Sequence, residues 1–256
     1  ETALVKNFVN SDRIYVTTTV DENDAGATLL QPGGEGLSLR EAIDYAEAFD
    51  MVEGTAADEI VLQESISYEV DGGLVVDGGN IVTIEVEDSN GDGAVDKAAV
   101  DGSLGAQTAN RIFQINDGTA SGTDLTLNDI IVTGANSGYA HGAGIGNWDG
   151  TVTLNRVEVT GNVSRGHDGG GILNYVGCTM TINDSVISGN SINGEYNANN
   201  GEGRGAGIYN SGTMAINNST ISGNQFTGQI TQKGYGAGVY NSGTMTLEKN
   251  LVANNG

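Results

Sequence analysis

The sequence predicts an all-β fold, a parallel β-helix fronted by one short amphipathic helix. Three observations carry this expectation. A stretch of about twenty residues recurs along the chain, apolar residues alternate inside each copy, and turn-forming residues separate the alternating runs. The 256 residues include 41 Gly and a single Pro, and only 5% are aromatic, which suits short strands and tight turns better than helices.

The repeat is plainest in "GAGIYNSGTMAINNSTISGN" from Gly205. It returns as "GAGIGNWDGTVTLNRVEVTGN" from Gly142, "GGGILNYVGCTMTINDSVISGN" from Gly169 and "GAGVYNSGTMTLEKNLVANNG" from Gly236. A partial copy, "DLTLNDIIVTGAN", begins at Asp124. Met214, Ile216 and Ile221 align with Val152, Leu154 and Val159, with Met180, Ile182 and Ile187, and with Met245, Leu247 and Val252. A period of two means strand. Units this small cannot bury their own apolar face, whereas stacked units share one continuous core. Each copy is therefore expected to form one coil.

Two columns of asparagine follow from the alignment: Asn147, Asn174, Asn210 and Asn241, and Asn162, Asn190, Asn224 and Asn255. Identical side chains in stacked coils lie about 4.8 Å apart. An amide there can donate to one neighbour and accept from the other, satisfying inward-facing turn backbone. The adjoining Gly161, Gly189 and Gly223 suit turns with positive φ.

The pattern G-G-G-I-x-N-x-G-T-L-x-I-x-N-S-x-I-S-G-N resembles the right-handed β-helix repeats of bacterial surface proteins, including the polymorphic outer-membrane protein type. Upstream, "GLSLREAIDYAEA" resembles the C-S-L-R-E-A segment that opens many such passengers, with Leu37 in place of the cysteine. The resemblance covers the chain from about Tyr15 onward. It implies a right-handed parallel β-helix, and a secreted or cell-surface protein of structural or adhesin type. The same scaffold carries polysaccharide-active enzymes, so resemblance at the level of fold leaves function to be argued from sites.

"SLREAIDYAEAF" is the predicted helix. Ser38 and Glu41 form a capping box, and Leu39, Ala42, Ile43, Ala46 and Phe49 make one apolar stripe. Such a helix can close the open first coil of a solenoid. Arg40 and Glu41 read as surface or capping residues. The chain is expected to be one domain. Residues 1–60 supply a strand and the capping helix, 61–123 the first coils, and 124–256 the regular repeats. The carboxyl end, around Leu247 and Val252, lacks an evident cap, and two expectations follow from this. The chain belongs to a longer protein, or it docks end to end on another copy through "RIYVTTTV" from Arg13, which would build a filament.

Asp and Glu total 33 against 10 Lys and Arg, a net charge of -23. Such a surface repels nucleic acid and anionic lipid. It favours divalent cations. Cys178 is the sole cysteine, so no disulfide framework or thiolate metal site is expected. No run approaches the roughly 20 apolar residues of a membrane-spanning helix.

The sharpest chemical signal is "VEDSNGDGAVD". Asp88, Asn90 and Asp92 alternate, Gly93 permits a sharp turn, Ala94 offers a carbonyl and Asp96 follows. The spacing matches the first nine positions of an EF-hand-type loop, and Ca²⁺ is the expected ion. Ala99 stands where the twelfth-position glutamate belongs, so water or another acid would complete the shell. "DENDAG" from Asp21 is a weaker second candidate.

The segments 136–141, 163–168, 191–204 and 225–235 vary most, and insertions in a solenoid gather on one edge, often the binding edge. His141, Asp168, Arg204 and Tyr235 precede successive Gly-x-Gly motifs, with His167, Glu202 and Lys233 close by. An acid–base site of a polysaccharide lyase or epimerase would use His141, Asp168 and Arg204. The preferred expectation is a calcium-stabilised structural or adhesive β-helix with no catalytic residues, its partners being other copies, further domains of a longer chain, or glycan.

Overall fold

The computed structural model describes residues 13–22, 36–48, 58–77, 79, 81–103, 111–115, 122–138, 140–194, 203–228 and 234–256. The chain forms a parallel β-solenoid. One coil runs through Ile145–Asn147, Gly150–Asn155, Glu158–Thr160 and Val163–Arg165. The next runs through Ile172–Asn174, Thr179–Asn183, Val186–Ser188 and Ser191–Asn193. Every strand pairs in parallel with its equivalent on the neighbouring coil. The longest resulting sheet has eight strands, beginning at Arg13–Tyr15 and Asp58–Gln63 and ending at Thr244–Glu248.

The register is the one the alternation predicts. Val152 pairs with Met180, Met180 with Met214, and Met214 with Met245. Leu154, Ile182 and Ile216 form the next inward column, and Val159, Ile187 and Ile221 a third. All but Met245 of these are buried in one continuous core. A one-residue slip would turn each column to solvent, so burial fixes the register.

Both asparagine columns hold the turns. Asn147 Nδ2 donates to Asn174 Oδ1 at 3.0 Å, Asn174 to Asn210 at 2.8 Å and Asn210 to Asn241 at 2.7 Å. In the second column Asn162, Asn190, Asn224 and Asn255 are linked at 3.0 Å per step, and each acceptor oxygen also takes the preceding asparagine's backbone N–H. A third column escaped the sequence reading. Asn155, Asn183 and Asn217 each donate at 2.9 Å toward the amino-terminal coil, the reverse of the other two, and Asn128 receives the first of these bonds. The residue after each of these four asparagines sits in the left-handed region, Asp129, Arg156, Asp184 and Asn218 having φ between 49° and 59°, as does Lys249 after Glu248 at the equivalent position of the next coil.

The helix, Leu39–Ala48, packs its Leu39, Ala42, Ile43 and Ala46 stripe into the first coils beside Ile14, Val16 and Ile60. Phe49 lies outside the described residues. The capping box is formed: Glu41 Oε2 accepts from Ser38 N at 2.9 Å, and Ser38 Oγ from Glu41 N at 3.2 Å. Arg40 is structural, its guanidinium clamped on both carboxylate oxygens of Asp21 and on the Gly73 carbonyl. Asp21 is thereby committed, and also accepts from Asp71 N. The remainder of that weaker calcium motif, from residue 23 on, lies outside the described residues. Leu37, in the position of the resembled cysteine, is buried. Cys178 is buried too, and burial pushes its thiol pKa up.

Candidate functional site

Asp88 to Lys97 join strands Ile81–Glu87 and Ala98–Asp101 as an exposed loop. Its side chains fold back on its own backbone. Asp88 accepts from Gly91 N at 2.7 Å and Gly93 N at 2.9 Å, Asn90 from Asp92 N at 2.8 Å, and Asp92 from Ala94 N at 2.9 Å. The additional acid is Glu64, a buried carboxylate from the preceding coil. It accepts from Asn90 N at 2.7 Å, Ser89 Oγ at 3.2 Å and Asp96 N at 3.3 Å. Among the described residues no three His, Cys, Asp or Glu side chains converge as a metal-binding group. The oxygens of Asp88, Asn90 and Asp92 order the loop through backbone N–H groups. A carboxylate retains lone pairs beyond these bonds, so the donor chemistry still suits a hard cation.

The variable segments do share one edge. Asn136–Ser137, Val163–Arg165, Ser191–Asn193 and Gln225–Thr227 pair as a fourth parallel sheet. Beyond it, Gly142 N donates to Asp168 O, Gly169 N to Arg204 O and Gly205 N to Tyr235 O. His141, Asp168, Arg204 and Tyr235 therefore occupy one column, as the alignment expects. Glu202 and Lys233 lie outside the described residues.

His141 and Asp168 meet. Asp168 N donates to His141 Nδ1 at 3.1 Å, and the Asp168 Oδ2 to His141 Nδ1 separation is 3.9 Å. A ring nitrogen that accepts carries no proton, so the His141 proton is on Nε2, which donates to His167 Nδ1 at 3.1 Å. Burial pushes the His141 pKa down to about 4, with the His167 and Arg111 charges adding to it. Burial and Arg111 lower His167 in the same direction. The His141 imidazole is therefore neutral at pH 7. Arg204 is one coil further on, with its guanidinium 5.7 Å from the Tyr240 ring centroid.

The surroundings of the histidines belong to residues the sequence did not single out. The outward positions of one six-stranded sheet form a column of Val75, Gln114, Gly146, Leu173, Tyr209 and Tyr240. Trp148 and Tyr175, at the following turn on adjacent coils, lie 5.1 Å apart, and Tyr209 stacks on Tyr240 at 5.4 Å with planes 14° apart. Tyr235 meets Tyr240 edge-on at 6.5 Å, and His141 meets Trp148 edge-on at 6.0 Å. Arg111 crosses this face, donating from Nε to His141 O at 3.1 Å and from Nη1 to Gln114 Oε1, with its guanidinium 5.2 Å from the Trp148 centroid. The only signal in the sequence was that the lone Trp and several Tyr fall just inside or beside the repeated G-x-G-I-x-N words.

Comparison with models of known protein families, with characterised proteins and with solved structures gives no significant match.

Proposed function

We propose that the chain is a structural or adhesive β-solenoid of the extracellular space or cell surface, that it holds glycan on the face around Trp148, and that calcium binds its Asp88–Asp96 loop. The observation that carries this reading is the row of aromatics. The only Trp and four of the nine Tyr, namely Tyr175, Tyr209, Tyr235 and Tyr240, gather on one side of a chain otherwise poor in rings. Partly exposed rings clustered with hydrogen-bonding side chains mark a binding surface. Spaced at one ring per coil, they suit an extended ligand of stacked, amphipathic units such as a glycan. Asp88, Asn90, Asp92, Asp96 and the Ala94 carbonyl remain the calcium donors proposed, and Glu64 supports the loop from beneath.

Binding and turnover are separated in one experiment. The protein is incubated with neutral and acidic glycans while Trp148 emission, product absorbance and glycan chain length are followed. Saturable emission changes with unchanged glycan support the reading. Absence of any response rejects it. A second reading, a polysaccharide lyase or epimerase, is favoured by one observation: His141, His167 and Asp168 meet on the variable edge, where His141 could take a proton once its Nδ1 is released from the Asp168 N–H. Turnover that disappears in His141→Ala would establish it. End-to-end addition would pair the strand Arg13–Tyr15 of one copy with a coil of another. Light scattering that stays monomeric over a wide concentration range would argue against it.

A further inference from the structure

Arg111 differs from the other cations whose contacts define the fold. Arg13 binds Glu59 and Glu85, Arg40 binds Asp21, and Arg156 grips both oxygens of Asp129. Among the described residues, Arg111 has the His141 carbonyl, the Gln114 amide oxygen and the Trp148 ring, and no carboxylate. This occurs in a chain with 33 acids and 10 bases. Withdrawing a charge from water is unfavourable without a counter-charge. The Arg111 pKa is pushed down to about 10 by burial, with no acid offsetting it.

The absence of a side chain at Gly146 lets Arg111 and Trp148 pack directly against the strand. Gly146 stands where the adjacent coils carry Gln114 and Leu173. A Cβ on Gly146 would come within 2.9 Å of Arg111 Cδ, 3.0 Å of Trp148 Nε1 and 3.1 Å of Arg111 Nε. No side chain fits there without displacing both residues. Trp148 Nε1 is itself a buried donor with no acceptor, and the bonds of Arg111 leave Nη2 unused. Two neighbouring donors thus lack acceptors among the described residues, one of them cationic, beside two neutral imidazoles and next to the exposed ring of Tyr175.

We propose that Arg111, with Gly146 and Trp148, forms a carboxylate subsite, and that the glycan on this face is acidic, built of uronic-acid units. The inference rests on reading the face as glycan-binding. The free guanidinium edge meets the sugar carboxylate, a planar group that arginine matches better than a point charge does. The sugar ring lies over Tyr175. The neutral histidines add no charge at pH 7, so discrimination beside Trp148 falls to Arg111, Arg204 lying further along the face against Tyr240. In a protein of net charge -23, a single cation governs attraction only at short range, which confines recognition to this subsite.

The chain has one tryptophan, Trp148, so its fluorescence reports this site alone. The full chain is titrated with oligogalacturonate and with oligoalginate, each as free acid and as ester, with a sulfated neutral galactan, and with a panel of neutral oligosaccharides. A free acid should bind at least tenfold more tightly than its ester, and the difference should shrink with salt. Arg111→Gln should remove that tenfold, so that acid and ester bind alike, while Arg111→Lys retains part of it. Gly146→Ala would displace Arg111 and Trp148 from their packed positions and should lose the preference too. Far-UV circular dichroism and melting verify that each variant is folded. Should Arg111→Gln fail to fold, the acid-to-ester ratio of the wild type decides alone. Equal binding of acid and ester, unchanged affinity in Arg111→Gln, or binding of the sulfated glycan only would overturn the proposal. If neutral oligosaccharides bind and acids do not, the carboxylate subsite fails while the face stands as glycan-binding. If no glycan binds, both fail.

Discussion

His141 Nε2 lies 3.1 Å from His167 Nδ1, while the other nitrogen of His141 accepts the Asp168 backbone N–H at the same distance. Two adjacent coils are thus joined through neutral imidazoles, and a proton added to His141 Nδ1 breaks the bond to Asp168 N and places charge beside Arg111.

This gives a pH dependence whose sign is fixed. The His141 pKa is lowered to about 4 from the ordinary 6.5, so the unfolded chain takes up the proton first. Stability is fully present above pH 6.5 and is lost as pH falls through that value toward 4. The shift corresponds to about 3 kcal/mol at most. His141→Asn should flatten this part of the profile by roughly 2 kcal/mol, because an amide oxygen can accept the Asp168 N–H without titrating. Urea unfolding of wild type and variant between pH 7 and 4 measures it. Parallel profiles would reject the linkage.

The inner and outer asparagine columns should differ in what they contribute. Asn190 is fully buried; it receives the Asn162 N–H and Nδ2 and donates to Val159 O and Asn224 Oδ1. Asn190→Ala strands several buried groups and should cost about 3–5 kcal/mol. Asn155 is part-exposed in its column and its neighbours can turn to water. Asn155→Ala should cost about 1 kcal/mol. Equal losses in denaturant melts would show that burial does not set the difference.

Glu47, in the last turn of the helix, accepts the Asp77 N–H at 2.7 Å. Burial raises its pKa to about 7 against that bond, with Asp77 and Asp44 adding repulsion. A carboxylate raised in this way is least favourable when ionised, so stability falls as pH rises from 4.5 through 7. Glu47→Gln keeps the acceptor and removes the charge. After screening at a partly exposed site, a gain of roughly 1 kcal/mol is expected at pH 8 and none at pH 4. Thermal melts at both values test it, and a loss at pH 8 would contradict it.

For the Asp88–Asp96 loop, calcium at a hundredfold excess over its dissociation constant should stabilise the fold by about 2.7 kcal/mol. Melting with calcium and with chelator should differ in the wild type, and Asp92→Ala should lose most of that difference. Identical shifts in both proteins would move the ion elsewhere, and none in either would dismiss it.

The sequence by itself determined the solenoid, the register and two of the three asparagine columns. Met180, Met214 and Met245 could be aligned because a stacked coil repeats its inward pattern residue for residue, and burial makes that pattern strict. The cap at Ser38 and Glu41 was equally legible, being a contact over three residues. The column of His141, Asp168, Arg204 and Tyr235 followed from the same alignment. Only the tertiary structure decided what surrounds it. Arg111 precedes the partial copy that begins at Asp124 and stands in none of the repeated words, yet it lies across Gly146 onto Trp148, 37 residues later in the chain. Glu64 reaches a loop that starts 24 residues beyond it. The Asn155 column, although periodic, donates against the direction of the other two, which no alignment of letters can specify. Periodicity encodes what every coil shares. Contacts made by residues unique to one coil depend on which side chains the stacking brings into reach.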